Sequence, residues 1–210
     1  MRDLNSLGIR HPRYRKSFPP ITDAGIRAFE RYFGINLPAD YVEFLHFTNG
    51  GTPRTREYDD PVTGGVGGFD YFYGLGSAEE NERIERTGKW DYGNLWGETR
   101  SFNRHLLTGD RTFGVPFAAD GGGNTLFFDY RQASRCVSQF VLATRLTYQL
   151  FPTFSDFLDM LHPPTPIPRT GSHEVVMRID DVGADKRGQS PFGGADKRDE
   201  EDGEHNDGST

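Results

Sequence analysis

One cysteine, Cys136, occurs in 210 residues. That excludes an intrachain disulfide framework and leaves no thiolate set for a structural metal. No run of about 18 apolar residues occurs, and no apolar stretch follows the basic start, so neither a transmembrane helix nor a secretory leader is expected. The cytoplasm is the expected compartment, and no membrane is an expected partner. The histidines His11, His46, His105, His162, His173 and His205 form neither an HxH nor an HExxH pattern, which leaves a zinc centre without local support. A GxSxG nucleophile elbow is also missing. Cys136 sits in a β-rich run, where a small core side chain is expected. No catalytic residue, metal or cofactor is expected, and the chain reads as a non-enzyme.

Positive charge is scarce where a nucleic-acid surface would need it. The chain carries 24 Lys and Arg against 31 Asp and Glu, a net of −7. Residues 18–162 are acidic on balance, so the folded part repels phosphate backbones and nucleic acid is not an expected partner. The only basic stretch is the start, with RHPRYRK at 10–16, and residues 1–17 are expected as a flexible basic arm. Residues 163–210 begin with PPTPIP, repeat GADKR and end in DEEDGEHNDGST. That composition predicts a mostly disordered acidic tail, with EVVMRI at 174–179 as one candidate edge strand.

Aromatic side chains locate the domain. Of the 17 Phe, nine Tyr and two Trp, all but Tyr14 and Phe192 lie between Phe18 and His162. Burying one such ring is worth roughly 1.5–3 kcal/mol, so residues 18–162 hold the core. ITDAGIRAFERYFG predicts a helix capped by Thr22 or Asp23, with Gly34 just beyond its end. Leu37 and Pro38 start a second helix through Tyr41, Phe44 and Leu45, and Asn49-Gly50-Gly51 reads as its left-handed stop. VGGFDYFYGLG at 66–76 predicts a strand with Phe69, Tyr71 and Tyr73 on one face and Asp70 and Phe72 on the other. Residues 78–87 suit a charged helix with a Glu82–Arg86 pair. FGVPFAADGGGNTLFFDY predicts a hairpin turned at Asp120–Asn124, its second strand covered on both faces. CVSQFVLAT adds a strand, and TFSDFLDML a closing helix with Thr153 and Asp156 as its capping pair. The fold class expected is α+β: a single domain with N-terminal helices, a central mainly antiparallel sheet and a closing C-terminal helix.

Two features invite chemistry and are accounted for by structure. Asp120 to Asn124 with Asp129 has carboxylates near glycines, but the EF-hand spacing and its twelfth-position Glu are missing. A tight turn explains the glycines. GGGN leads into a strand pattern rather than a helix, so it is no phosphate cradle. What remains is surface. Tyr58-Asp59-Asp60 and Trp90-Asp91-Tyr92 place rings beside acids in expected loops, a composition suited to partner contact, where rings anchor and charges steer. Trp90 and Trp96 read equally well as caps on the core.

Taken in order, Gly34-Ile35, the Leu37-Pro38-Ala39-Asp40-Tyr41 helix start, Asn49-Gly50-Gly51, Asp120-Gly121-Gly122-Gly123-Asn124 with Asp129, and Phe154 to Leu158 closely resemble the SUKH superfamily. That superfamily includes a fungal cell-wall-synthesis regulator and many bacterial immunity proteins. The resemblance spans about residues 18–162. It implies a non-enzymatic α+β binding domain whose motif residues are structural. Its bacterial members are often encoded beside secreted polymorphic toxins and neutralise one partner by direct contact. An immunity protein against a cognate toxin is therefore the first expectation, and a regulatory or scaffold module the second. The Trp-containing 76–112 region and the repeat-bearing tail depart from the family pattern.

Overall fold

A computed structural model of the chain describes residues 2–11, 17–106, 114–131 and 135–166. Helices α1 (Asp23–Phe33) and α2 (Ala39–Phe47) precede a two-stranded hairpin, β1 (Glu57–Asp59) with β2 (Val66–Gly68). Strand β3 (Tyr71–Phe72), α3 (Ala78–Thr87) and α4 (Leu95–Ser101) follow, and α4 continues into a π-helical turn, Phe102–Leu106. Then come β4 (Gly114–Ala119), β5 (Thr125–Asp129), β6 (Cys136–Val141), β7 (Leu146–Phe151) and α5 (Phe154–Met160). The five strands β3 to β7 form one antiparallel sheet in chain order. This is the expected α+β arrangement, with α5 closing on the sheet.

Local chemistry explains most boundaries. Thr22 caps α1 by accepting from the Gly25 N–H, and Gly34 ends it at φ 66°. Thr153 caps α5 by accepting from the Asp156 N–H, while its own hydroxyl donates to the Asp156 carboxylate at 2.7 Å. Pro38 stands at the N-cap of α2, where the absent N–H costs nothing. Pro116 lies inside the sheet because the β4–β5 ladder shifts between Pro116 and Ala118.

The sheet is covered on both faces. Against one, Tyr41 and Phe44 of α2 meet Phe72, Phe117, Phe128 and Phe154, and Phe157 joins them through Phe117, with ring centroids in the cluster 4.6–6.5 Å apart. Against the other, Phe102 packs on Phe127 and Phe140. Phe127 and Phe128 point to opposite faces of the central strand, as their unbroken apolar run predicts.

Several expectations change. The Asn-Gly-Gly stop is not a left-handed cap, since α2 ends at an extended Thr48 with φ −151°. Glycine is needed at position 50 on two other counts: its φ is 83°, and a Cβ there would meet the Gly74 backbone at 2.9 Å. The expected single strand at 66–76 is two strands broken at Phe69–Asp70. There the chain leaves the hairpin for the large sheet, so Phe69 joins Phe72 and Phe157 rather than sharing a face with Tyr71 and Tyr73. Strand β7 is an addition with no counterpart in the expectation. Its burial is confined to Leu150 and Phe151, which leaves little periodicity to read. The expected flexible start is partly built in. Leu4 and Leu7 are buried in a 3-10 turn, and Arg2 Nη1 donates to the carbonyls of Leu158 and Leu161. Tail residues 167–210, including the candidate strand 174–179, lie outside the described residues.

Candidate binding surface

The two loop triplets separate once their neighbours are seen. Tyr58 is fully buried, its ring edge-on to Phe151 and Phe157. Burial pushes its hydroxyl well above the ordinary phenol range, helped by Asp60 and Asp120. Its expected role as a contact ring is therefore corrected: Tyr58 lies on the inward face of β1 and fills the core. Asp60 accepts from the N–H groups of Val62 and Thr63 at 2.8 and 3.2 Å and so builds the hairpin turn. Asp59 is exposed, 3.8 Å from His162 Nε2.

Trp90, Asp91 and Tyr92 lie on the connection between α3 and α4. Trp90 is half-buried and packs directly against Gly97, where any Cβ would collide with it. Its Nε1 donates to Glu98 Oε1 at 3.3 Å, and the Gly93 N–H donates to the same oxygen at 3.1 Å. Burial raises the Glu98 carboxyl above its ordinary value against the opposing effect of these two donors. Arg83 of α3 reaches Asp91 at 3.6 Å. Tyr92 is 63% exposed, its ring tilted against that of the buried Tyr71 with centroids 5.4 Å apart. The loop is thus clamped from beneath by Glu98 and presents Tyr92 and Asp91 outward.

The motif residues are spent on the fold. Asp120 accepts from the N–H groups of Gly122 and Asn124 and from Asn124 Nδ2 at 2.7–2.9 Å, and Gly123 closes the turn at φ 83°. Asp129 holds Arg131 by two bonds of 2.9 and 2.6 Å. The Leu37 N–H donates to Glu30 Oε1, and Tyr41 is fully buried. Asn49 Nδ2 donates to the carbonyls of Pro19 and Leu75, each at 2.7 Å, and its Oδ1 accepts from the Leu75 N–H. Gly51 pairs with Phe72 across an isolated bridge. Among the described residues no group of three His, Cys, Asp or Glu is placed to hold a metal ion, and no helix is long and apolar enough to cross a membrane.

Asn49 also positions a feature that sequence reasoning missed. The two segments it ties together, at Pro19 and at Leu75, lead into α1 and α3 and line a groove of about 770 Å³ between those helices. The N-cap residues Thr22 and Ser77 both line it, so the helices start side by side. Trp96, 3% exposed, forms its floor and holds Phe29, Tyr32 and Phe33 of α1 at centroid distances of 4.8–5.7 Å. Glu82, expected to pair with Arg86, lies on the groove wall instead. The available signal was Glu79, Glu82 and Glu85 at helical spacing, which reads in sequence as an ordinary solvated face.

The ordered motifs, the closing helix and the five-stranded sheet agree with a family comparison. The family model described as SMI1 / KNR4 family (SUKH-1) matches residues 20–160. No curated protein matches the chain. With well over half its length covered, this chain belongs to the SMI1/KNR4 family, SUKH-1.

Proposed function

We propose that this protein is a non-catalytic binding domain that acts as an immunity protein, neutralising a cognate bacterial polymorphic toxin by direct contact. Family membership supports a protein partner in general terms. The observation that carries the finer reading is the division of its acids into two sets. Asp120, Asp129, Asp60 and Glu98 are each bound to backbone N–H groups, to arginine or to indole, and hold the fold. Asp59, Asp91, Glu79, Glu82 and Glu85 are instead exposed at the surface, Asp59 near His162, Asp91 near Arg83 and the three glutamates along the groove wall. With a net charge of −7, that surface suits a basic target, and a nuclease with a cationic phosphate cleft fits it best. Tyr92 and Asp91 are the loop contacts retained from the sequence expectation, with Trp90 as their support and Asp59 as a separate exposed acid.

The experiment is co-expression with the toxin encoded beside this chain. Growth should be restored, and purified toxin should form a stable complex whose association slows as salt rises. Loss of protection with a set of unrelated proteins captured instead would sink the immunity reading and favour the scaffold module.

A further inference from the structure

Residues 2–10 lie ahead of the segment that matches the family, 20–160, yet they belong to the folded domain. Asp3 caps a 3-10 turn by accepting from the Asn5 N–H, and Gly8 ends it at φ 60°. The turn sends Leu4 and Leu7 inward, 8% and 0% exposed. Beyond it the chain straightens and pairs. The Arg10 N–H donates to the Thr52 carbonyl and the Thr52 N–H to the Arg10 carbonyl, each at 2.8 Å, and the Arg54 N–H donates to the Leu7 carbonyl at 2.9 Å. Thr52 follows Gly51, which bridges Phe72 of β3, so among the described residues this segment is the outermost line on that side of the large sheet. At its other end Arg2 Nη1 holds the carbonyls of Leu158 and Leu161 at 2.8 and 2.7 Å.

The segment is a strap with few ties. Two buried leucines and a handful of hydrogen bonds oppose the backbone freedom of its whole length, and so close a balance puts it at the low-stability end of the molecule. What it covers is a strand edge. With the strap lifted, both backbone groups of Thr52 and the N–H of Arg54 face outward unpaired, beside the space vacated by the two leucines. An occupant must pair as a strand and carry leucines three positions apart. The segment that the structure shows fitting this edge is residues 2–10, and every copy of the chain carries them.

The connection to the rest of the domain permits exchange. His11 packs at Gly51, where a Cβ would come within 3.0 Å of its ring, and Phe18 packs at Gly74, where a Cβ would collide with its ring. Gly50 approaches Gly74 directly, so residues 11 and 18 are anchored close together. The six residues between them, 12–17, reach roughly 20 Å when fully extended, far enough to deliver the strap to a neighbouring copy. Three of the six are Arg13, Arg15 and Lys16, whose like charges favour the longer path.

We infer that residues 2–10 are an exchangeable strap, and that the edge at 52–54 with its two leucine sites also accepts the strap of a second copy, giving a two-fold dimer in which each chain closes the other. The exchanged contacts are the same as those within one chain. The two forms therefore differ in the connection and in the entropy of association. The exchange does not depend on what the domain binds elsewhere.

The test uses two variants of the full chain. Leu7→Asp spoils the strap and leaves the edge, whereas Thr52→Pro removes an N–H that pairs with Arg10 and leaves the strap. Each by itself should be monomeric by light scattering after size-exclusion chromatography. Mixed, they should form a one-to-one dimer, since one supplies a sound edge and the other a sound strap. A mixture that stays monomeric, or a dimer that persists when both chains carry Leu7→Asp, would overturn the proposal. Native-state hydrogen exchange on the unaltered chain checks the same point without either variant. The amides of Arg10, Thr52 and Arg54 should exchange through one shared opening, with protection at least about tenfold below that of the β5 amides. Exchange of these amides solely through global unfolding would rule the strap's release out.

Discussion

Asn49 shows how one side chain can organise two distant segments. Its amide makes three bonds, to the Pro19 carbonyl and to both backbone groups of Leu75, while only 7% exposed. Asn49→Ala strands those groups and should cost about 3 kcal/mol, at roughly 1 kcal/mol for each lost bond, read from the shift in denaturant midpoint. Asn49→Asp keeps the acceptor for the Leu75 N–H but turns a carboxylate toward two carbonyls. It should be no milder than alanine, and a clearly milder aspartate would refute the bonding scheme. Gly74 is restricted in the same region, since a Cβ there would collide with the Phe18 ring and approach the Asn49 carbonyl at 2.6 Å. The sequence shows Asn-Gly-Gly as a turn signal. What the Asn side chain binds depends on residues about 26 to 30 positions away, which local spacing does not encode.

Among the elements, the connection between α3 and α4 is the most informative. It is held by Glu98, whose folded-state carboxyl is raised by burial above the ordinary value of 4.5. The folded protein therefore binds the Glu98 proton more tightly than the unfolded chain does. This contribution to stability is full below about pH 4.5 and is lost as pH rises through the raised value. Glu98→Gln removes the titration and keeps an acceptor for Trp90 and Gly93. Relative to wild type it should gain stability between pH 4 and pH 7, and an unchanged difference across that range would contradict the assignment. Glu98→Ala loses both bonds and should cost about 2 kcal/mol, with increased hydrogen exchange at Gly93. Helix α3 was legible to the residue because Ser77 and Gly88 punctuate it and its interior is a strong helix former. Helix α4 carries a weaker sequence signal, because its cap, Asn94, is buried and its Gly97 serves contact with the Trp90 ring rather than helicity. The contact residues were half legible for a related reason: acids beside rings can be read in sequence, but Tyr58 shares its composition with Tyr92 and only burial distinguishes them.

For the whole molecule, every described buried hydrophobic residue lies between Leu4 and Leu161. Residues 167–210 are poor in aromatic and other large apolar side chains, so by composition a chain ending at Pro166 should unfold cooperatively at the same midpoint as the full chain, and a lower midpoint would assign the remaining residues a share in the core. Composition, aromatic placement, helix caps and the Gly-rich hairpin determined the α+β class and most elements, because each depends on residues within about four positions of one another. Tertiary structure decided which polar groups are structural and which remain on the surface. It buried Tyr58 against Phe151 and Phe157, more than 90 residues further along the chain, and built the groove by setting Trp96 against Phe29, Tyr32 and Phe33, more than 60 residues before it. The period of a helix or strand carries no information about contacts between segments so far apart.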